Sequence, residues 1–196
     1  VLDIGCGWGG LSRYIAKEIG CEVHGISLAS NQIEYCKKKA REFKLDNLLS
    51  YDLCDYREVQ GTWDRIINVG FFEHVSPKFY KTFFNKIHDL LKDNGDSICL
   101  THTIATTNPP GPANPFIEKY IFNGGKVPST SQITKAIENS GLVISGWESL
   151  IDQYNLTLDH WRERFLKNVG KAKKAYGPNF VRLWDFYLSS CSAAFK

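Results

Sequence analysis

An apolar run, Val1-Leu2-Asp3-Ile4, breaks at once into glycines at 5, 7, 9 and 10. A strand over 1–5 running into a tight loop is the simplest reading. Apolar residues then recur with helical spacing: Leu11, Tyr14, Ile15 and Ile19 share one face and predict a helix over 10–19. A second short strand is predicted over 22–27. Ser30 is placed to cap a helix reaching about Phe43, with Glu34 at or one residue beyond the position a capping box wants. Strands follow at 48–51 and 64–69, the latter rich in isoleucine and valine. Pro77 opens a helix reaching Leu91, with Phe79, Phe83, Ile87 and Leu90 or Leu91 toward the core. The Asn94-Gly95 turn leads into a strand over 97–103. Strand and helix alternate throughout, so the predicted fold is α/β and doubly wound. Its sheet is mainly parallel, with helices on both faces.

The rhythm breaks after residue 103. Residues 104–128 carry prolines at 109, 110, 112, 115 and 128 and the Gly124-Gly125 pair. An irregular insertion beyond a strand's carboxyl end is where substrate loops sit. A helix over 129–140 and a sixth strand over 142–147 come next. A loop at 148–155 then precedes helices at about 156–170 and 178–193.

Composition narrows the class without changing the fold. At 196 residues the chain is read as one domain, 1–196, with a substrate-side insertion at about 104–128. No apolar run approaches the roughly 20 residues of a transmembrane helix. Net charge is +3, too balanced to imply nucleic acid. Six cysteines contain no C-x-x-C pair, which suggests neither a zinc site nor a disulfide framework. Free thiols in a reducing cytoplasm are the default expectation. No H-E-x-x-H or other metal spacing is present, so no metal is invoked. There is no methionine, and the glycine loop starts at residue 5. Both suggest a piece of a longer protein.

A strand feeding Gly5, Gly7 and Gly9 at a helix start can cradle a nucleotide-like ligand. The bland reading is a tight turn with no ligand. Two details sharpen the choice. Asp3 lies two residues before Gly5, an acid that dinucleotide loops usually lack and methyltransferase loops commonly have. Ser27 ends the second strand, where a dinucleotide site wants an acid for the ribose. Asp55, after the third strand, can accept from an adenine amino group, and Tyr56 can pack on the base; each can equally be a solvated turn residue.

A second constellation follows the fourth strand: Phe71-Phe72-Glu73-His74-Val75. A bland loop would be polar, whereas this one should wall an apolar cavity. Glu73 there can accept or share a proton. His102 ends the fifth strand and can face the same cavity. A satisfied structural histidine is the competing reading for His102, and a packing role for His74.

Together these residues resemble a known family. Asp3-Ile4-Gly5-Cys6-Gly7-Trp8-Gly9-Gly10, Gly25-Ile26-Ser27-Leu28 with Asn31-Gln32, Phe72-Glu73-His74, Leu100-Thr101-His102-Thr103-Ile104, Lys119-Tyr120-Ile121-Phe122 with Pro128-Ser129, and Gln153-Tyr154 with Thr157-Leu158 are similar to cyclopropane-fatty-acyl-phospholipid synthases. The related mycolic acid cyclopropane synthases and some plant alkaloid N-methyltransferases share parts of the pattern. The resemblance runs essentially end to end.

It implies a class I, Rossmann-like methyltransferase fold using S-adenosylmethionine, with a methylene group passing to a cis double bond of a phospholipid acyl chain. It further implies a bound bicarbonate ion as base, held by Glu73, His102, the Ile104 backbone and Tyr154. A further holder, a cysteine upstream of the loop, has no counterpart here. Asp3, Gly5, Gly7, Gly9, Ser27, Gln32, Asp55 and Tyr56 are the implied cofactor positions. Phe71, Phe72, Phe116, Tyr120, Phe122 and Trp147 can line a dry pocket for a developing cation. The implied location is cytoplasmic, peripheral to the membrane's inner face, and a homodimer stays open. The family's upstream region and its last antiparallel strand are expected to be missing, and the chain as given is expected to be poorly active.

Two basic stretches, Lys37-Lys38-Lys39 with Arg41 and Lys167 with Lys171, Lys173 and Lys174, are each either a solvated helix face or a lipid dock. The competing functions are a small-molecule N-methyltransferase on the same scaffold and a non-catalytic cofactor or lipid binder. A dehydrogenase is more distant, given Asp3 and Ser27.

Overall fold

The computed structural model describes residues 1–112 and 114–195. Strand β1 (Leu2–Ile4) is only three residues long, yet all three are buried. It lies between β2 (Val23–Ser27) and β4 (Arg65–Val69) and pairs in parallel with both. β3 (Leu49–Leu53) extends the sheet beyond β2, and β5 (Ile98–His102) extends it beyond β4. The order is β3-β2-β1-β4-β5. The chain winds outward from β1 and then returns to start β4 on its other side. Such a reversal opens a crevice at the strands' carboxyl ends, where open α/β sheets take ligands. The expected doubly wound parallel fold is present.

Helices cover both faces. α1 (Gly10–Ile19) and α2 (Ser30–Glu42) bury Ala16, Ile33, Cys36 and Ala40 against Val23, Leu49 and Tyr51. α3 (Tyr80–Leu90) buries Phe83, Phe84, Ile87 and Leu90 against Leu2, Ile4, Ile26 and Ile66. Each such side chain contributes about 1.5–3 kcal/mol by leaving water. Within the insertion lies one helix the sequence reading left as loop, α4 (Pro115–Tyr120). Asn114 caps it, accepting from the N–H of Phe116 at 3.0 Å, and Pro115 occupies the first turn. α5 (Thr130–Glu138) carries a full capping box from Ser129 and Gln132.

The chain forms two compact units, Val1–Val143 and Ile144–Lys196. The second is a hairpin of α6 (Ile151–Lys167) and α7 (Val169–Ala194), the latter broken at Gly177 (φ 83°) before Pro178.

Several local expectations are corrected. The segment 142–147 forms no strand among the described residues. A strand exists only with a partner for its backbone groups, and this segment pairs with none, leaving Val143 89% exposed. The α2 cap is Ala29, and Ser30 is the first helical residue, so no Ser30–Glu34 capping box forms. Ser27 Oγ instead accepts from the Ala29 N–H at 3.2 Å. On α1 the buried residues are Ser12 and Ala16, whereas Leu11, Tyr14 and Ile19 are exposed. The buried polar pair Ser12–Asp3 sets that rotation. Pro77–Phe79 is a 3₁₀ turn ahead of α3, leaving Phe79 exposed and turning Tyr80 inward. α6 begins at Ile151, inside the expected loop, with Asp152 favourably placed in its first turn.

Candidate functional site

The loop after β1 is built on glycine geometry. Gly5, Gly7 and Gly9 all have positive φ, at 77°, 54° and 68°. Gly9 also allows a close approach, because a Cβ there would lie 2.8 Å from Cys36 Sγ and 2.9 Å from Tyr51 Oη. The N–H groups of Gly5 and Cys6 both donate to the Ile26 carbonyl, at 2.9 and 3.0 Å, tying the loop to β2. The Cys36 thiol donates to the Gly7 carbonyl at 3.4 Å. Burial pushes the Cys6 thiol up to about 12, so it stays protonated and is no nucleophile.

Asp3 is 3% exposed, and its carboxylate accepts from the Ser12 hydroxyl. Burial raises its proton affinity above the ordinary aspartate value. Its contact in the structure is thus to α1, supporting the loop from beneath. Ser27 and Gln32 are brought together: Ser27 Oγ donates to Gln32 Oε1 at 3.1 Å. Asp55 is held by Arg57 through Nε at 2.9 Å and a second nitrogen at 2.6 Å, which lowers its proton affinity. An adenine amino group would share a carboxylate already engaged by that guanidinium. Tyr56 packs edge-on against Phe71 and Phe83, with centroids 5.7 and 5.3 Å apart. Ile4, Gly5, Ile26, Ser27, Leu28, Cys54, Tyr56 and Phe71 line one small cleft at the strands' carboxyl ends. Mostly apolar walls with the hydroxyl-bearing Ser27 and Tyr56 suit the adenosine part of a nucleoside cofactor.

Beyond β4 lies a second cluster. Glu73 sits in a 3₁₀ turn (Phe72–His74), and its Oε1 accepts from the Ile104 N–H at 2.7 Å. The Glu73 carbonyl accepts from the Lys126 N–H at 3.3 Å, fixing the insertion beside it. His102 ends β5 opposite Val69, and its carbonyl accepts from the Gly70 N–H at 3.0 Å. Thus Glu73 and Ile104 are joined directly, and the Glu73 turn and His102 leave adjacent paired strands. Glu73 Oε2 and His102 Nδ1 are buried without a hydrogen-bond partner. Such orphans are rare, because each costs about 1–3 kcal/mol of desolvation. The imidazole nitrogen can donate or accept according to tautomer, whereas the ionised carboxylate only accepts. A small anion carrying its own proton fits that donor set.

Tyr80 was missed in the sequence, where it read as one more helix residue. It is buried against Phe72, with centroids 4.5 Å apart, and its hydroxyl also lacks a partner. The charge of Glu73 raises the Tyr80 phenol's proton affinity further than burial alone, so the two groups share one electrostatic environment. A tyrosine seven residues after the glutamate, across a prolyl turn, was the available signal.

Tyr154 lies on α6 in the second unit, its ring packed against Phe195 at 4.8 Å. Of the expected pocket aromatics, Phe72 is fully buried in the core. Phe71 borders the cleft. Phe116 packs on Tyr120, and Phe122 lies edge-on to His74. Trp147 belongs to the second unit and is exposed.

Residues 1–196 match the family model described as mycolic acid cyclopropane synthetase. The chain belongs to this family. Cyclopropane-fatty-acyl-phospholipid synthase of Escherichia coli strain K12 is 37% identical over 196 residues, covering all of this chain and 50% of that protein. Tuberculostearic acid methyltransferase UfaA1 of Mycobacterium tuberculosis is 31% identical over 204 residues, covering all of this chain and 47% of its own length. The chain therefore spans about half the length of the curated relatives it matches. The solved cyclopropane synthase MmaA2 of Mycobacterium tuberculosis superposes with a TM-score of 0.90 at 26% identity, over 99% of this chain and 72% of that one. The synthase CmaA1, solved with SAH and CTAB, gives 0.89 at 27%, with the same coverage. The family's fold is thus the class I S-adenosylmethionine methyltransferase fold described above. Among the described residues no helix is long and apolar enough to cross a membrane.

Proposed function

We propose that this protein takes part in S-adenosylmethionine-dependent conversion of a cis double bond in a phospholipid acyl chain into a cyclopropane ring. The observation that carries the reading is the Glu73 cluster. A carboxylate pinned at one oxygen by a backbone N–H leaves its second oxygen buried and unpartnered, with His102 Nδ1 in the same condition. An amine methyltransferase needs no such buried, unsatisfied polar atoms at the ends of adjacent strands.

When bound, S-adenosylmethionine supplies an electrophilic methyl group. The glycine loop, Ser27 with Gln32, and Asp55 with Tyr56 are the residues that hold it, with Asp3 keeping the loop in shape. Bicarbonate, when bound, supplies the base for the proton lost from the added carbon. Glu73 Oε2, His102 Nδ1 and the Ile104 backbone hold that ion. Glu73 accepts the ion's own proton and orients it, while Ile104 keeps the carboxylate from swinging away. Phe71 and the aromatic residues of the insertion exclude water from a positive charge developing on hydrocarbon. The setting proposed is a membrane surface within the cytoplasm.

Glu73→Gln keeps the shape and the Ile104 bond but cannot accept that proton. Product formation from S-adenosylmethionine and dispersed unsaturated phospholipid should fall about 10²–10⁴-fold. Cofactor affinity by calorimetry should hold. Unchanged turnover in the variant would remove Glu73 from the mechanism.

A further inference from the structure

The two basic stretches of the sequence are different objects in the structure. On α2, Lys37 is paired with Asp52, and Lys38 and Lys39 with Glu42. Each of the three lysines of that stretch thus faces a carboxylate, Lys38 and Lys39 sharing one. On the hairpin of the second unit, Lys167 is paired with Glu163 and Arg162 with Asp185. Among the described residues, no carboxylate pairs with Lys171, Lys173 or Lys174.

The imbalance is regional. Residues 160–185 hold seven basic and two acidic side chains, a net +5, whereas the whole chain is +3. The remainder is therefore −2, so this part of the hairpin carries the chain's positive excess.

Beside those lysines runs an aromatic ladder. Tyr176 packs on Phe180 at 4.8 Å, Phe180 stacks on Trp184 at 5.6 Å, and Trp184 meets Tyr187 at 5.1 Å. The ladder runs from Tyr187, which is buried, to Tyr176, which is 70% exposed. Tyr176, the exposed end of the ladder, follows Lys171, Lys173 and Lys174 on the same helix, so the unpaired charges and the ring lie close together in the chain.

We infer that this part of the hairpin docks on an anionic phospholipid bilayer. Tyrosine and tryptophan favour the headgroup level, where an apolar body and a polar tip are both satisfied. Lysines lay their stems along the apolar surface and raise their charges to the phosphates. An extended nucleic acid would meet the net negative remainder of the chain, which disfavours it. The inference rests on the reading of phospholipid as substrate and adds where the protein meets it.

Vesicle sedimentation tests it. Vesicles of phosphatidylglycerol with phosphatidylcholine should bind the protein, vesicles of phosphatidylcholine alone should bind it far less, and added salt should weaken the binding. One lysine near an anionic leaflet strengthens binding roughly fivefold, so K171Q/K173Q/K174Q should weaken it roughly 100-fold. The matching change on α2, K37Q/K38Q/K39Q, should leave it unchanged and controls for bulk charge. Phe180→Ala should lower the part of binding that resists salt. Circular dichroism establishes that each variant folds. No binding of the parent protein to anionic vesicles, equal losses in both triple variants, or capture of an acidic protein without vesicle binding overturns the inference. Failure of the substrate reading shows separately, as no product from detergent-dispersed unsaturated phospholipid, where docking is not needed.

Discussion

Gly25 has no room for a side chain. A Cβ there would stand 2.6 Å from Tyr51 Cδ1 and 3.0 Å from Cys6 Cβ, within the packing that supports the cofactor loop. Gly25→Ala should cost about 1–3 kcal/mol, read as a lower urea midpoint; an unshifted midpoint would show that Tyr51 yields freely. Asp3 makes a pH prediction. Its native proton affinity is raised above that of the unfolded chain, whose value is 3.8, so the native state binds the proton more tightly. Stability therefore falls as pH rises from 3.8 through the raised native value. Asp3→Asn can still accept from Ser12, and it should flatten that fall in urea titrations across pH. A variant with the parent's full pH slope would remove Asp3 as its cause. Tyr80→Phe deletes a buried hydroxyl that has no partner. It should raise the stability of the protein by about 1 kcal/mol, and added bicarbonate, the proposed ion, should narrow the gap. Thermal melts with and without the ion decide whether Tyr80 belongs to the cluster.

The elements show where sequence patterns carry structure and where they stop. α1 was legible to its end residues because glycines bracket it, yet its buried face was not. Leu11, Tyr14 and Ile19 look like a core stripe, but one buried Ser12–Asp3 bond rotates the helix the other way. α4 was hidden among prolines, although Asn114-Pro115 is itself a start signal. The segment 142–147 has the composition of a strand and lacks the partner that would make it one. Glu73 and His102 stand out in the sequence at the ends of two strands and Ile104 only through family likeness, whereas the orphaned atoms of the cluster appear only once the chain folds. β5 has a consequence of its own. Among the described residues it pairs only with β4, and Leu100 is 54% exposed beside that open edge. Edge strands of this kind invite pairing between molecules. Leu100→Lys should lower self-association in light scattering without loss of the fold. Scattering equal to the parent's would place the association elsewhere.

For the whole molecule, three features support the proposed chemistry. A parallel sheet reverses direction at β1 and β4 and presents a glycine-built cleft. An insertion carrying Phe116, Tyr120 and Phe122 follows β5. Glu73, fixed by the Ile104 N–H, and His102 each hold a buried polar atom without a hydrogen-bond partner. The family's fold accounts for the first feature alone, and the other two are the grounds on which alkene chemistry is proposed over methylation of an amine. The most direct measurement uses S-adenosylmethionine with an isotopically labelled methyl group and a phospholipid bearing one cis alkene and an amine headgroup. Mass spectrometry of the product then locates the added carbon. The account predicts one labelled CH₂ on the acyl chain together with loss of the alkene. Label on the headgroup nitrogen with the alkene intact would contradict it.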